Sequence, residues 1–131
     1  MSQENVDALR EALEAYNRHD LGAFLALMHD DVEAHPRMAG VEGVYRGHDG
    51  IRRWWASARD AFPDFSTDVF EVRDLGDLTL AELRNRGRGA AGGTPVEQES
   101  WHVAQWHDRK VVWWGAYATE AQALEAAGAG E

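Results

Sequence analysis

The apolar positions fall into two rhythms along the chain. Over roughly residues 4–18, Val6, Leu9, Leu13 and Tyr16 recur at spacings of three and four, so they share one helical face. Asp20 stands where an N-cap belongs, ahead of Leu21, Phe24, Leu25 and Met28, which predicts a short second helix that Asp30 and Asp31 end. Val32 to Pro36 reads as a short strand, with the proline placing it at an edge or an end. The glycine-rich stretch from Gly40 to Gly50 reads as a loop. Asp49 is then positioned to cap a third helix, whose stripe is Ile51, Trp54, Trp55, Ala58 and Phe62, and Pro63 stops it. From Phe65 the period changes to two. Phe65, Thr67 and Val69 alternate with polar neighbours, and Asp74 to Asp77 marks a turn. Leu78 to Arg88, Val96 to His107 and Lys110 to Tyr117 read as three further strands. The first two are joined by the glycine-rich 89–93 segment, the last two by a turn at Asp108-Arg109. Thr119 is placed to cap a final helix with Leu124 as its apolar residue, and the small-residue tail after it reads as frayed.

Helices interleaved with one short strand, followed by a meander of long strands, make an α+β layer fold. The 131 residues suit one domain, and neither a repeat nor a low-complexity linker divides 1–131.

The local wording sharpens that fold class. Tyr16 to Leu21, then Leu27 to Val32, then Tyr45 to Ile51, then Trp101 to Trp106 with Asp108 to Val112, resemble segments of the nuclear transport factor 2-like superfamily, in its SnoaL-like and ketosteroid-isomerase-like branch. The resemblance implies a cone-shaped α+β domain. A strongly bent, mostly antiparallel sheet wraps around three helices, with a central pocket at the wide end. It also implies a homodimer through the convex sheet face. Its functions range over isomerases, cyclases, epoxide hydrolases and non-enzymatic binders, so fold alone assigns none of them.

Composition removes several classes. Acidic residues outnumber basic ones by 23 to 13, a net charge of −10, and such a surface repels nucleic-acid backbones. There is no cysteine, which rules out disulfides, thiolate metal sites and a thiol nucleophile, and which suits a reducing cytoplasm. The N-terminal residues lack a signal-peptide pattern, and no run is long and apolar enough to span a membrane. The six histidines show no metal-ligand spacing, and no glycine-rich phosphate loop joins a strand to a helix. The expectation is a domain without metal or cofactor. Six tryptophans point to broad apolar walls.

Against the ketosteroid-isomerase pattern, the base position is His35 rather than an acid. The tyrosine position falls near Ala12, with Tyr16 one turn on, and Trp101 replaces the donor acid. With the resemblance setting the register, Leu78, Leu80, Glu82, Arg84 and Arg86 face into the cone. On the next strand Glu97, Glu99, Trp101, Val103 and Gln105 do the same. Glu82, Arg84 and Glu99 beside His35 would form a polar patch in an apolar pocket, similar to the acid–arginine–acid arrangement of epoxide hydrolases of this fold. Tyr16, Trp54, Trp101, Val103 and Trp114 would line it. His102, Trp106 and Trp113 would lie on the convex, dimer-forming face, although a one-residue slip would exchange Trp101 and His102. Two readings stay open. In one, the domain is a cofactor-free acid/base enzyme acting on a hydrophobic molecule. In the other, it is a non-catalytic binding or accessory domain. His35 and the charged trio have equally ordinary roles, as a strand-end cap and a rim ion pair.

Overall fold

A computed structural model describes residues 2–37, 43–88 and 95–128. The order is α1 (Ser2–Asn17), α2 (Leu21–Ala26), β1 (Met28–His35), β2 (Tyr45–Arg46), α3 (Gly47–Ala61), β3 (Ser66–Asp74), β4 (Leu78–Arg88), β5 (Pro95–His107), β6 (Lys110–Tyr117) and α4 (Glu120–Gly128). The six strands form one curled, unclosed sheet in the order β2-β1-β6-β5-β4-β3. All neighbours are antiparallel except β1 and β6, which run parallel.

Local chemistry fixes the ends of these elements. Asp20 caps α2 by accepting from the Ala23 N–H at 3.1 Å, and Thr119 Oγ1 accepts from the Gln122 N–H at the start of α4. The Asp108-Arg109 turn has φ of 52° and 62°, the doubly left-handed geometry that suits a two-residue hairpin. The start of α3 departs from expectation. Arg46 holds the cap position without a side-chain capping bond, while Asp49 sits inside the first turn and pairs with Arg52 at 2.8 Å. Strand β1 begins at Met28, earlier than the apolar pattern suggested, because the His29–Asp31 stretch is a solvent-facing strand start. The stretch from Gly40 to Gly50, read as a loop, instead carries β2 and the first turn of α3 over its described part, and the glycine-rich 89–93 connection lies outside the described residues.

The concave side of the sheet closes on α1, α2 and α3. Ile51, Trp54, Trp55, Ala58 and Phe62 of the α3 stripe are all buried there. Asn17 stitches α1 to β3: its amide nitrogen donates to the Thr67 carbonyl at 2.9 Å and its amide oxygen accepts from the Thr67 N–H at 2.8 Å. A second, smaller apolar cluster lies on the convex side. There Ala123 and Ala127 of α4 pack on Leu80 and Val103, with Trp101, Trp113 and Tyr117 around them. Leu124 points away and is exposed, so two alanines rather than the leucine dock α4. Arg73 on β3 ties α4 down through Glu120. Gly115 fits this side for steric reasons, since a Cβ there would lie 2.8 Å from the Trp113 ring and from Tyr117 Oη.

Two bulges decide which side chains face inward. Phe70 is the extra residue between Val69 and Glu71 in the β3–β4 ladder, and Val112 interrupts the β5–β6 ladder. Inside lie Thr79, Ala81, Leu83 and Asn85 of β4, and Ser100, His102, Ala104 and Trp106 of β5. This is the opposite phase to the one expected from the resemblance. The physical reason is charge: β4 carries Glu82, Arg84 and Arg86 on one face and no charge on the other, and unpaired charges are costly to bury. Trp106 is therefore interior, with its Nε1–H donating to Thr79 Oγ1 at 2.9 Å. Of the three residues expected to form an exposed dimer face, only Trp113 is on the convex side, where the α4 cluster packs against it.

Candidate functional site

Among the described residues, the helices and the sheet leave an apolar cavity between them. It encloses about 70 Å³ open to the centre of a water molecule, and about 710 Å³ with its mouth included. Leu9, Ala12, Leu13 and Tyr16 of α1 form one wall, Phe24 and Met28 the floor, and Trp54 of α3 a side. The sheet contributes Thr67, Leu83, Asn85, His102, Ala104, Val111 and Trp114, and Pro36 and Arg37 complete the lining just beyond β1. The enclosed part is smaller than the roughly 300–1,000 Å³ common for small-molecule sites, so it suits a compact molecule.

Aromatic packing sets the shape of this site. Tyr16 stacks on Phe65 with ring centroids 4.5 Å apart and on Trp54 at 6.0 Å, and it meets Trp55 edge-on. Burial raises the Tyr16 phenol above its ordinary range, so it stays protonated. Trp54 meets Trp114 edge to face at 5.4 Å. Trp114 in turn lies nearly parallel to the His102 ring at 5.6 Å.

Burial acts on His102 in the opposite sense. Desolvation, and after it the positive charge of Arg37, lower its pKa from 6.5 to about 4. At neutral pH it is an uncharged imidazole. Its Nε2 is buried without a hydrogen-bond partner among the described residues, as are Nε1 of Trp54, Nε1 of Trp114 and Oγ of Ser100. Each such atom costs about 1–3 kcal/mol relative to a paired one, and three of them belong to side chains lining one cavity.

The sequence-derived candidates divide sharply. Tyr16, Trp54 and Trp114 line the cavity as expected. Trp101 and Val103 do not, because they belong to the convex cluster under α4. Glu82, Arg84 and Glu99 are also on the convex face. Arg84 does pair with Glu99 at 3.4 Å, and approaches Glu97 at 3.9 Å, but in solvent and against the Phe70 ring rather than in a pocket. His35 is half-exposed and outside the cavity lining. Its Nε2 lies 2.6 Å from Glu33 Oε2, and its ring packs on Trp113. Hydrogen bonds from His35 and Arg46 hold the Glu33 carboxyl below its usual range. The four proposed catalytic groups therefore do not converge. The sequence reading missed His102, Asn85 and Arg37. The signal for the first two was present, since they lie on the charge-free faces of their strands.

Comparison with known proteins agrees with this architecture. The model of the SnoaL-like domain family matches residues 9–114. A nuclear transport factor 2-like protein of unknown function from Burkholderia pseudomallei superposes with a TM-score of 0.80 at 22% identity, over 93% of this chain and 95% of that one. TerC, crystallised with polyporic acid, superposes with a TM-score of 0.79 at 20% identity, over 93% and 96%. A Catenulispora acidiphila protein with a ketosteroid isomerase-like fold, in complex with trimethylamine, gives 0.76 at 14% identity, over 92% of each chain. At such identities the likeness establishes the fold alone. No curated protein matches the chain.

Proposed function

The chain belongs to the SnoaL-like domain family, and we propose that its cone binds one compact, mainly apolar small molecule, with His102 meeting the molecule's polar end. The observation that carries this reading is the set of unpartnered buried polar atoms on His102, Trp54 and Trp114, side chains that line one apolar cavity. A ligand bearing a carbonyl or similar acceptor would supply a partner to an indole N–H or to the imidazole. Neighbours of the same fold crystallised with polyporic acid and with trimethylamine support the idea that such a cone can hold a small molecule.

Binding is favoured over acid/base turnover by the state of His102. A general base works best with a pKa near the operating pH. An imidazole pushed down to about 4 is a weak base at neutral pH. The isomerase or cyclase reading, moved from His35 to His102, would need a ligand that raises this value on binding.

Tryptophan emission offers the test, because Trp54 and Trp114 line the cavity. Acetophenone should shift that emission saturably. It should bind roughly fivefold more tightly than α-methylstyrene, which has the same shape without the acceptor. His102→Phe should reduce this preference, and Ala104→Phe, which fills the cavity, should abolish binding of both. Acetophenone should recover from heavy water without deuterium in its methyl group. Deuterium uptake that depends on His102 would favour the enzyme reading, and no saturable binding of either probe would reject the proposal.

A further inference from the structure

One lining residue is out of keeping with the rest. Among the described residues lining the cavity, Arg37 is the only formally charged side chain, in a chain whose net charge is −10. It follows Pro36, whose ring is buried in the cavity wall, so the end of β1 delivers the guanidinium to the rim. Arg37 forms no ion pair among the described residues. The carboxylates on nearby strands are occupied elsewhere: Glu97 and Glu99 by Arg84, and Glu33 by His35 and Arg46.

What holds Arg37 in place is neutral. Its Nη1 donates to the Glu99 carbonyl at 3.2 Å and, with the Gln98 amide turned to satisfy both its groups, to that amide oxygen at 3.1 Å. These contacts orient the guanidinium without cancelling its charge, and its other nitrogens keep their donors. On its outer side Arg37 borders a shallow groove that includes Tyr117, Gln122 and Glu125, and it makes no ion pair with Glu125. Its charge is felt inside the cavity, where it disfavours protonation of His102.

We infer that the cavity is built for a compact monoanion, an aromatic or alicyclic carboxylate or enolate, whose ring packs against the wall formed by Tyr16, Trp54 and Trp114 while its charged head meets Arg37 at the rim. The inference rests on the reading of the cone as a small-molecule site and specifies the ligand's charge. A planar fork matches a carboxylate in two parallel hydrogen bonds, which a neutral ligand cannot reproduce. The arrangement disfavours a cation in the same place, because Arg37 would repel it and no carboxylate lines the cavity among the described residues. The overall negative charge opposes the approach of any anion, so a local cation is what such a ligand requires.

The test compares three probes of similar shape, benzoate, benzamide and benzyltrimethylammonium, by tryptophan emission and calorimetry at neutral pH. The wild-type protein should bind benzoate about tenfold more tightly than benzamide and should bind the cation least. Arg37→Gln should lose most of the benzoate preference while benzamide changes far less, and Arg37→Lys, which keeps the charge without the fork, should recover part of it. Circular dichroism of each variant checks that the fold is intact. Benzamide binding as tightly as benzoate, or a benzoate preference that survives Arg37→Gln, overturns the inference while leaving the apolar-ligand reading in place. Failure of acetophenone, benzamide and benzoate alike overturns both.

Discussion

The two faces of strands β4 and β5 take alternate residues of the same two segments, yet they obey different rules. The inner face, Thr79, Ala81, Leu83 and Asn85 with Ser100, His102, Ala104 and Trp106, carries no formal charge and few polar atoms. The outer face divides along its length. Leu80 and Val103 sit under α4 at one end, and Arg84, Arg86, Glu97 and Glu99 form ion pairs in solvent at the other. A polar atom inside acts at full strength, because no water competes with it. A charge outside is screened, and its partner can be replaced by water. Neighbouring positions should therefore differ greatly in what their loss costs.

Adjacent residues give the strongest contrast. Leu83→Ala, on the inner face, should cost about 2–5 kcal/mol in urea unfolding. Arg84→Ala, one residue on, should cost less than about 1 kcal/mol despite removing a cation–π contact and two ion pairs, since its acidic partners are more than half exposed. Equal losses at the two sites would break the comparison.

His102 sharpens it through pH. Its folded pKa of about 4 lies below the unfolded value near 6.5, so the unfolded chain binds a proton in that interval that the folded chain does not. Stability is fully present above pH 6.5 and is lost as pH falls toward 4, by about 3 kcal/mol from this group. Urea midpoints measured across that window should fall less steeply for His102→Phe than for the wild type. A bound benzoate should shift the imidazole's titration upward, visible by NMR.

Smaller effects test single polar atoms. Thr79→Val keeps the shape but removes the oxygen that Trp106 Nε1 donates to, and should cost about 1–3 kcal/mol. His35→Ala should matter least, at less than about 1 kcal/mol, and should leave acetophenone affinity as it was, because its ring lies outside the cavity lining. A loss of binding in His35→Ala would restore the strand-end histidine to the site.

Most of the element order was legible because it rests on local chemistry: the 3.6-residue stripe of α3, the Asp20 cap, and the limits of β4 and β6 all follow from nearby residues, whereas β2, two residues inside the stretch read as a loop, depends on its pairing with distant Glu33 and Ala34. The phase of the sheet was read the wrong way round from the family register, although the chain carried a signal against it. Putting Glu82, Arg84 and Arg86 inside would require burying three charges on one strand, and the alternative face had none. The bulges at Phe70 and Val112 are harder to read, since an extra residue leaves no mark on composition. Arg37 could not have been singled out at all. Its lack of a carboxylate partner depends on Arg84, far along the chain, having taken the glutamates of β5.

The parallel ladder between β1 and β6 also governs the order in which the molecule can be assembled. It joins Met28–His35 to Lys110–Tyr117, and before β6 exists β1 pairs only with the two residues of β2. Val111 and Trp114 arrive with β6, so during synthesis the receptor for any ligand is finished only once that strand has been made. At typical translation rates the apolar faces of α1, α2 and α3 wait on the order of ten seconds for their final wall. Pairings so distant along the chain slow folding, and until β6 arrives they leave the apolar faces of the helices uncovered.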